Sequence, residues 1–295
     1  MSSPIVRNST VRSHYESVER VITVMRDRID QPLSLGSMAR IALASRYHFN
    51  RTFRQVTGVP PSQFLYALRL DKAKRLLLQT QLKVIDICYD VGYNSVGTFT
   101  RRFTDLLGVS PTTFRDLARG PIQRVPGYRN PAASIVKNSL NSGCRVSGYV
   151  KVPPRFHGLI FVGLFETPIP QGQPLACAAP SVDGSYCIEN APKGELYLFA
   201  LGLRGPIDAP GCFDYESALR GGGHALRISR DSVKGSTYVR LRPPSPFDPP
   251  ILLLLPVLME KFFSRQQPPT EKALSCPPLP HHAQPLAQTT QQTAS

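Results

Sequence analysis

The chain has 295 residues, a length that suits about two domains; 41% hydrophobic against 19% charged residues is enough for a packed core and excludes a chain disordered throughout. Its formal charge of +15 is unevenly placed. Residues 1–130 hold 20 basic and 9 acidic side chains (+11), and the remaining 15 and 11 add only +4, so the surplus sits in the first half and suits a polyanionic partner such as nucleic acid.

Proline runs the other way, 8 of 29 before residue 151 and 21 after, so helix-compatible sequence gives way to turn-rich sequence. The cysteines Cys88, Cys144, Cys177, Cys187, Cys212 and Cys276 form no C-x-x-C pair, which leaves a zinc cluster or a dithiol redox centre without support. Met1–Thr10 is polar and lacks the apolar core of a secretion signal. Ile251–Met259 is broken by Pro256, well short of the ~20 apolar residues of a membrane span. The expectation is a soluble cytoplasmic chain with reduced thiols and no membrane partner.

In chain order, Glu16–Asp30 has Val18, Val21, Ile22 and Ile29 at helical spacing and reads as an opening helix. The segment SRYHFNRTFRQVTGVPPSQF (45–64) then recurs without gaps as SVGTFTRRFTDLLGVSPTTF (95–114), identical at eight of twenty positions. Each copy reads as the second half of a helix–turn–helix. In the first, Leu35, Met38, Ala39 and Ala42 form one apolar stripe and Phe49, Phe53 and Val56 the next. Ser45 is placed as N-cap and Gly58 as the left-handed stop. In the second, Val84, Ile87, Cys88 and Val91 precede Gly92, and Phe99, Phe103 and Leu106 precede Gly108. Pro61 and Pro111 suit the first turn of a further helix. Between the copies, Ser62–Leu78 is an uninterrupted helical run, with Arg69, Lys72, Lys74 and Arg75 expected outward.

These features carry a resemblance. His14–Arg115 is similar to the DNA-binding domain of the arabinose-operon regulator (AraC/XylS) family, on its paired units, the connector RLDKAKRLLL (69–78) and the signature VGYNSVGTFTRRFTDLLGVSPTTFR (91–115). The resemblance implies an all-α domain of two helix–turn–helix units joined by a linker helix, with two recognition helices entering successive major grooves. It implies base reading by Tyr47, Asn50 and Arg51 in the first unit, residue types that pair with base edges in the major groove. The matching second set is Val96, Gly97, Thr100 and Arg101, and phosphate contacts fall to Ser45, Arg46, Arg54, Ser95, Thr98 and Arg102. Val96 and Gly97 depart from the polar types usual in the family, so the second unit should read fewer bases. Leu43 stands where the first turn usually has glycine.

From Gly143 the apolar period changes to two. Val146–Val150, Leu159–Phe165, Leu196–Leu203, Ala225–Ile228 and Ser236–Leu241 read as short strands of an all-β, sandwich-like domain. Gly158–Leu203 is similar to transthyretin-like (carboxypeptidase-regulatory) sandwich modules. Gly221–Gly223 reads as a flexible turn, and Ile251–Phe263 as a buried strand leading into a short helix or as a dimer face. The expected division is residues 12–118 (DNA binding), 119–142 (linker), 143–263 (β domain for effector sensing or dimerisation) and 264–295 (a Pro/Gln-rich disordered tail).

No catalytic signature occurs: G-x-S-x-G, H-E-x-x-H and the Walker pattern are absent, and the histidines lack ligand spacing. No enzyme, metal or cofactor is expected. The expected partners are double-stranded promoter DNA and RNA polymerase, with a small-molecule effector and a second copy of the chain as candidates. The rival class is a DNA-directed alkyl-transfer enzyme, which needs a reactive cysteine in a P-C-H-R-like setting that none of the six has. A pure interaction module, without salt-dependent DNA affinity, is the third.

Overall fold

The computed structural model describes residues 4–119, 144–180, 184–204 and 215–254. Seven helices come first: α1 (Pro4–Asp27), α2 (Leu35–Ile41), α3 (Arg46–Thr57), α4 (Pro61–Gln79), α5 (Val84–Asp90), α6 (Val96–Leu107) and α7 (Pro111–Arg119). Phe49, Phe53, Phe64, Phe99, Phe103 and Phe114 are fully buried at repeat-equivalent positions, in a chain of ring contacts within each half that are edge-to-face except for the tilted Phe99–Phe103 pair. Pro61 and Pro111 open α4 and α7, where a missing N–H leaves no bond unmade.

The opening helix starts twelve residues before the expected Glu16, because the polar stretch ahead of it holds no breaker and gains an Arg12–Glu16 pair one turn apart (2.9 Å). Leu35 proves exposed, since the first residue of α2 precedes the turn that meets the core.

The strands are β1 (Cys144–Lys151), β2 (Leu159–Phe165), β3 (Ala176–Ala178), β4 (Ser185–Ala191), β5 (Gly194–Leu203), β6 (Leu219–Ile228), β7 (Val233–Lys234) and β8 (Tyr238–Arg240). They form a three-stranded sheet, β4-β1-β8, and a five-stranded sheet, β3-β2-β5-β6-β7. One apolar cluster, including Val146, Ile188, Leu164, Leu198 and Leu226, draws on both sheets. A bridge between Arg220 and Arg242 joins them at one edge.

Gly221–Gly223 is not a turn. It lies inside β6, where the register with β5 slips between Leu198 and Phe199. Gly222 and Gly223 take φ of +94° and +86°, so the run makes a β-bulge that only glycine fits.

The segment Ile251–Leu254 joins the two parts. Extended side chains alternate: Leu252 and Leu254 enter the helical core with Ile169, while Ile251 and Leu253 join Phe161, Phe165 and Leu201 on the outer face of the five-stranded sheet. The Leu252 N–H donates to the Pro170 carbonyl (2.9 Å), and Gly172 N–H is shared by the carbonyls of Leu252 (3.0 Å) and Leu106 (2.6 Å), the latter on α6. Ile251–Leu254 is buried as expected, its side chains consumed inside the chain, but it forms only an isolated bridge between Leu252 and Gln171 in place of the expected strand. The rest of Ile251–Phe263, most of the expected linker and the expected tail lie outside the described residues.

Candidate nucleic-acid interface

The connector α4 determines how the site is held. Nineteen residues at ~1.5 Å make it about 28 Å long. It is buried on more than one side, which corrects the expected orientation of two cations. Arg69 lies inward, where Nε and Nη2 donate to the carbonyls of Ile29 (2.9 Å) and Gln31 (2.8 Å) just past the end of α1. Lys74 is only 2% exposed. Its Nζ donates to the Ile251 carbonyl (2.9 Å), lies 3.7 Å from Asp71 and sits 4.5 Å from the centre of the Tyr215 ring. Both were expected in solvent because charge favours water. Each is instead compensated by carbonyls that protrude from another segment.

Arg119 is the repeat equivalent of Arg69, fifty positions on. It donates to the Thr80 carbonyl (3.2 Å) past the end of α4, and Arg115 donates to Leu82 (2.6 Å). Each half therefore ties its last helix to the chain that follows its first.

In the first unit Ala42 is the C-cap of α2 and Leu43 takes φ +55°; in the second Val91 is the C-cap of α5 and Gly92 takes φ +80°. Both turns close with the same bond five residues back, Ala44 N–H to Ala39 and Tyr93 N–H to Cys88 (3.0 Å each). The second turn then inserts Asn94 before its cap, one residue more than the first. Ser45 Oγ accepts from His48 N–H and Ser95 Oγ from Thr98 N–H, both at 3.3 Å. The hydroxyl hydrogens stay available to an acceptor outside the helix. The helices stop at Gly58 and Gly108, with φ +81° and +83°.

On α3, Tyr47, Asn50, Arg51 and Arg54 are exposed, Tyr47 at 80%. Among the described residues neither Arg51 nor Arg54 has an ion-pair partner. Arg46, also exposed, turns its guanidinium back towards Gly36 of α2, where an added Cβ would lie 3.1 Å from Nε. On α6, Gly97, Thr98 and Arg101 are exposed, Thr100 is half-buried, and Val96 packs partly against the core. Arg101 has Asp105 one turn on at 3.8 Å, an exposed pair that holds it weakly. Arg102 lies over the Tyr66 ring of α4, 4.3 Å from its centre, and the hydrogen bond it donates to the Tyr66 oxygen raises its pKa above the ordinary value. Its charge is thus directed inward, a contact with no signal in the sequence.

Two N-capped helices in one chain, each with a polar face outward and a phenylalanine pair inward, define the helix–turn–helix class. A helix-turn-helix domain family matches residues 38–116. The chain is 30% identical over 108 residues to the HTH-type transcriptional regulator ArgR of Pseudomonas aeruginosa, covering 37% of this chain and 33% of that protein. It is 31% identical over 102 residues to the transposon Tn10 TetD protein of Escherichia coli, covering 35% of this chain and 74% of that one. A solved transcriptional regulator with an AraC-type DNA-binding domain, from Chromobacterium violaceum, is 27% identical, with 36% of this chain and 96% of that chain covered and a TM-score of 0.35. The chain belongs to the AraC/XylS family. It spans a third of the length of ArgR, and the matched region is the helical half. Among the described residues no helix is long and apolar enough to cross a membrane, and no cluster of three or more potential metal ligands occurs.

Proposed function

We propose that the chain is a promoter-binding transcriptional regulator that inserts α3 and α6 into successive major grooves of one duplex, with α4 as the spacer. The observation that carries this reading is the twofold occurrence of a serine-capped helix with an outward polar face, set on a connector tied at its middle by Arg69 to the carbonyls after α1 and just past its C-terminal end by Arg119 to the Thr80 carbonyl. Tyr47, Asn50 and Arg51 read bases in the first unit, and Gly97, Thr100 and Arg101 do so more sparsely in the second, where Val96 mainly packs. Ser45, Ser95, Thr98 and Arg54 take phosphates, with Arg46 and Arg102 reaching them only by leaving Gly36 and Tyr66. Residues 12–118 form the DNA-binding domain, and the β domain within 143–263 senses an effector or mediates dimerisation. RNA polymerase is the further partner, the cytoplasm the place of action, and no reaction is catalysed.

The names of the relatives support regulation. The alkyl-transfer alternative gains no support from Cys177, whose thiol burial pushes up to about 11, opposite to what a nucleophile needs. Titrating the intact chain onto its selected duplex at increasing salt tests the reading. The affinity should fall steeply, by tenfold or more between about 50 and 200 mM, as phosphates regain their counterions. An affinity that barely moves would refute it.

A further inference from the structure

A cleft of about 480 Å³ opens between the helices and the strand-rich part. Its apolar lining includes Ile29, Leu68 and Ile251, and Pro244, Pro246 and Pro250 stiffen one wall. Apart from Tyr215 and Ser245 the rest of the lining is charged, four cations against three carboxylates, and the charges do not balance.

Every carboxylate in the wall is already matched. Asp71 lies 3.5 Å from Arg75 and 3.7 Å from Lys74, Glu216 pairs with Arg75, and Asp248 receives both terminal nitrogens of Arg242 (2.8 and 2.6 Å). Three cations of the same wall, Arg26, Lys72 and Arg220, have no carboxylate within ion-pair distance among the described residues. They donate to carbonyls instead: Arg26 to Pro246 (3.4 Å), Lys72 to Asp90 (3.5 Å), and Arg220 to Pro249 (3.1 Å) and Tyr215 (3.2 Å). The Arg220 Nε is buried with no hydrogen-bond partner. Burial also lowers the Arg220 pKa, although Asp248 and Asp71 act against that fall. An orphaned guanidinium N–H beside two further unmatched cations and an apolar lining has the makeup of a site for an anion with an apolar body.

We propose that this cleft binds a small organic carboxylate, with Arg26, Lys72 and Arg220 receiving its charge. The site does not depend on how α3 and α6 meet DNA, so it stands or falls separately from the regulatory reading. A DNA phosphate is the other source of an anion, and the test separates the two.

The full chain, without DNA and at constant ionic strength, is titrated calorimetrically with adipate, benzoate and inorganic phosphate. The expected result is saturable one-to-one binding of a carboxylate with Kd below about 1 mM. It should weaken at least tenfold in both Arg26→Gln and Lys72→Gln, whose folding is checked by circular dichroism. Arg220→Gln is not needed, since that side chain also holds two carbonyls. The proposal is overturned if none of the three binds saturably up to about 10 mM, or if both variants bind like the parent. It is equally overturned if phosphate is preferred or if duplex DNA displaces the carboxylate one for one, since either result would make the cleft part of the DNA surface.

Discussion

Leu43 and Gly92 occupy the same left-handed position of the two turns, and only one is a glycine. Leu43 is 82% exposed, so its side chain has little packing to offset the clash between Cβ and backbone. Leu43→Gly should therefore stabilise the protein by about 0.5–1 kcal/mol in urea unfolding, strain relief outweighing the added freedom of the unfolded chain. A lower midpoint would show that the leucine packs better than its exposure implies. The reading residues make a separate, asymmetric prediction. Asn50→Ala or Arg51→Ala should cost about 1–3 kcal/mol and relax preference at one or two base pairs in a binding-site selection. Val96→Ala should leave the selected sequence unchanged, because Val96 faces partly into the core. Equal losses of specificity in both units would remove the asymmetry.

The strap Ile251–Leu254 is the element on which the two halves depend. Leu252 is fully buried among the helices, and Leu252→Ala should destabilise the chain by about 2–5 kcal/mol through the cavity it leaves. The loss should appear in the helical circular dichroism signal at 222 nm; a helical transition at the parent's denaturant concentration would mean the helical part does not need the strap. The helices were legible because the fifty-residue repeat fixes Ser45 and Ser95, Gly58 and Gly108, and the buried phenylalanines together. The inserted Asn94 escaped because the gapless alignment begins only at the caps. Arg69 and Lys74 were misread because their acceptors lie 40 and 177 residues away, and no local pattern announces a carbonyl that distant. β4 was missed and the bulge in β6 read as a turn for a related reason. A glycine run looks alike in a turn and in a bulge until its partner strand is known. In the site, exposure was legible from helical phase on α3, whereas the inward turn of Arg102 depends on Tyr66 of another helix.

At the scale of the molecule, shared cores couple the strand-rich part to the helical part, and two desolvated groups, the half-buried Cys177 and the buried Tyr186, make its stability depend on alkaline pH. Burial pushes the Cys177 thiol from an ordinary 9.0 up to about 11, and raises Tyr186 as well. The unfolded chain releases these protons first. Stability is therefore full below about pH 9 and falls as pH rises towards 11, and Cys177→Ala should flatten the start of that fall. An identical pH dependence in the variant would show that the thiol is already solvated in the native state. Regulation requires a ligand or partner to favour one arrangement of the coupled parts over another. Two recognition helices from one chain are proposed to reach one duplex, and hydroxyl-radical footprinting of the intact protein on its selected site measures that. Two protected patches should appear on one face about 10 base pairs apart, and Asn50→Ala with Arg51→Ala should weaken one while sparing the other. A single patch, or two patches lost together, would contradict it.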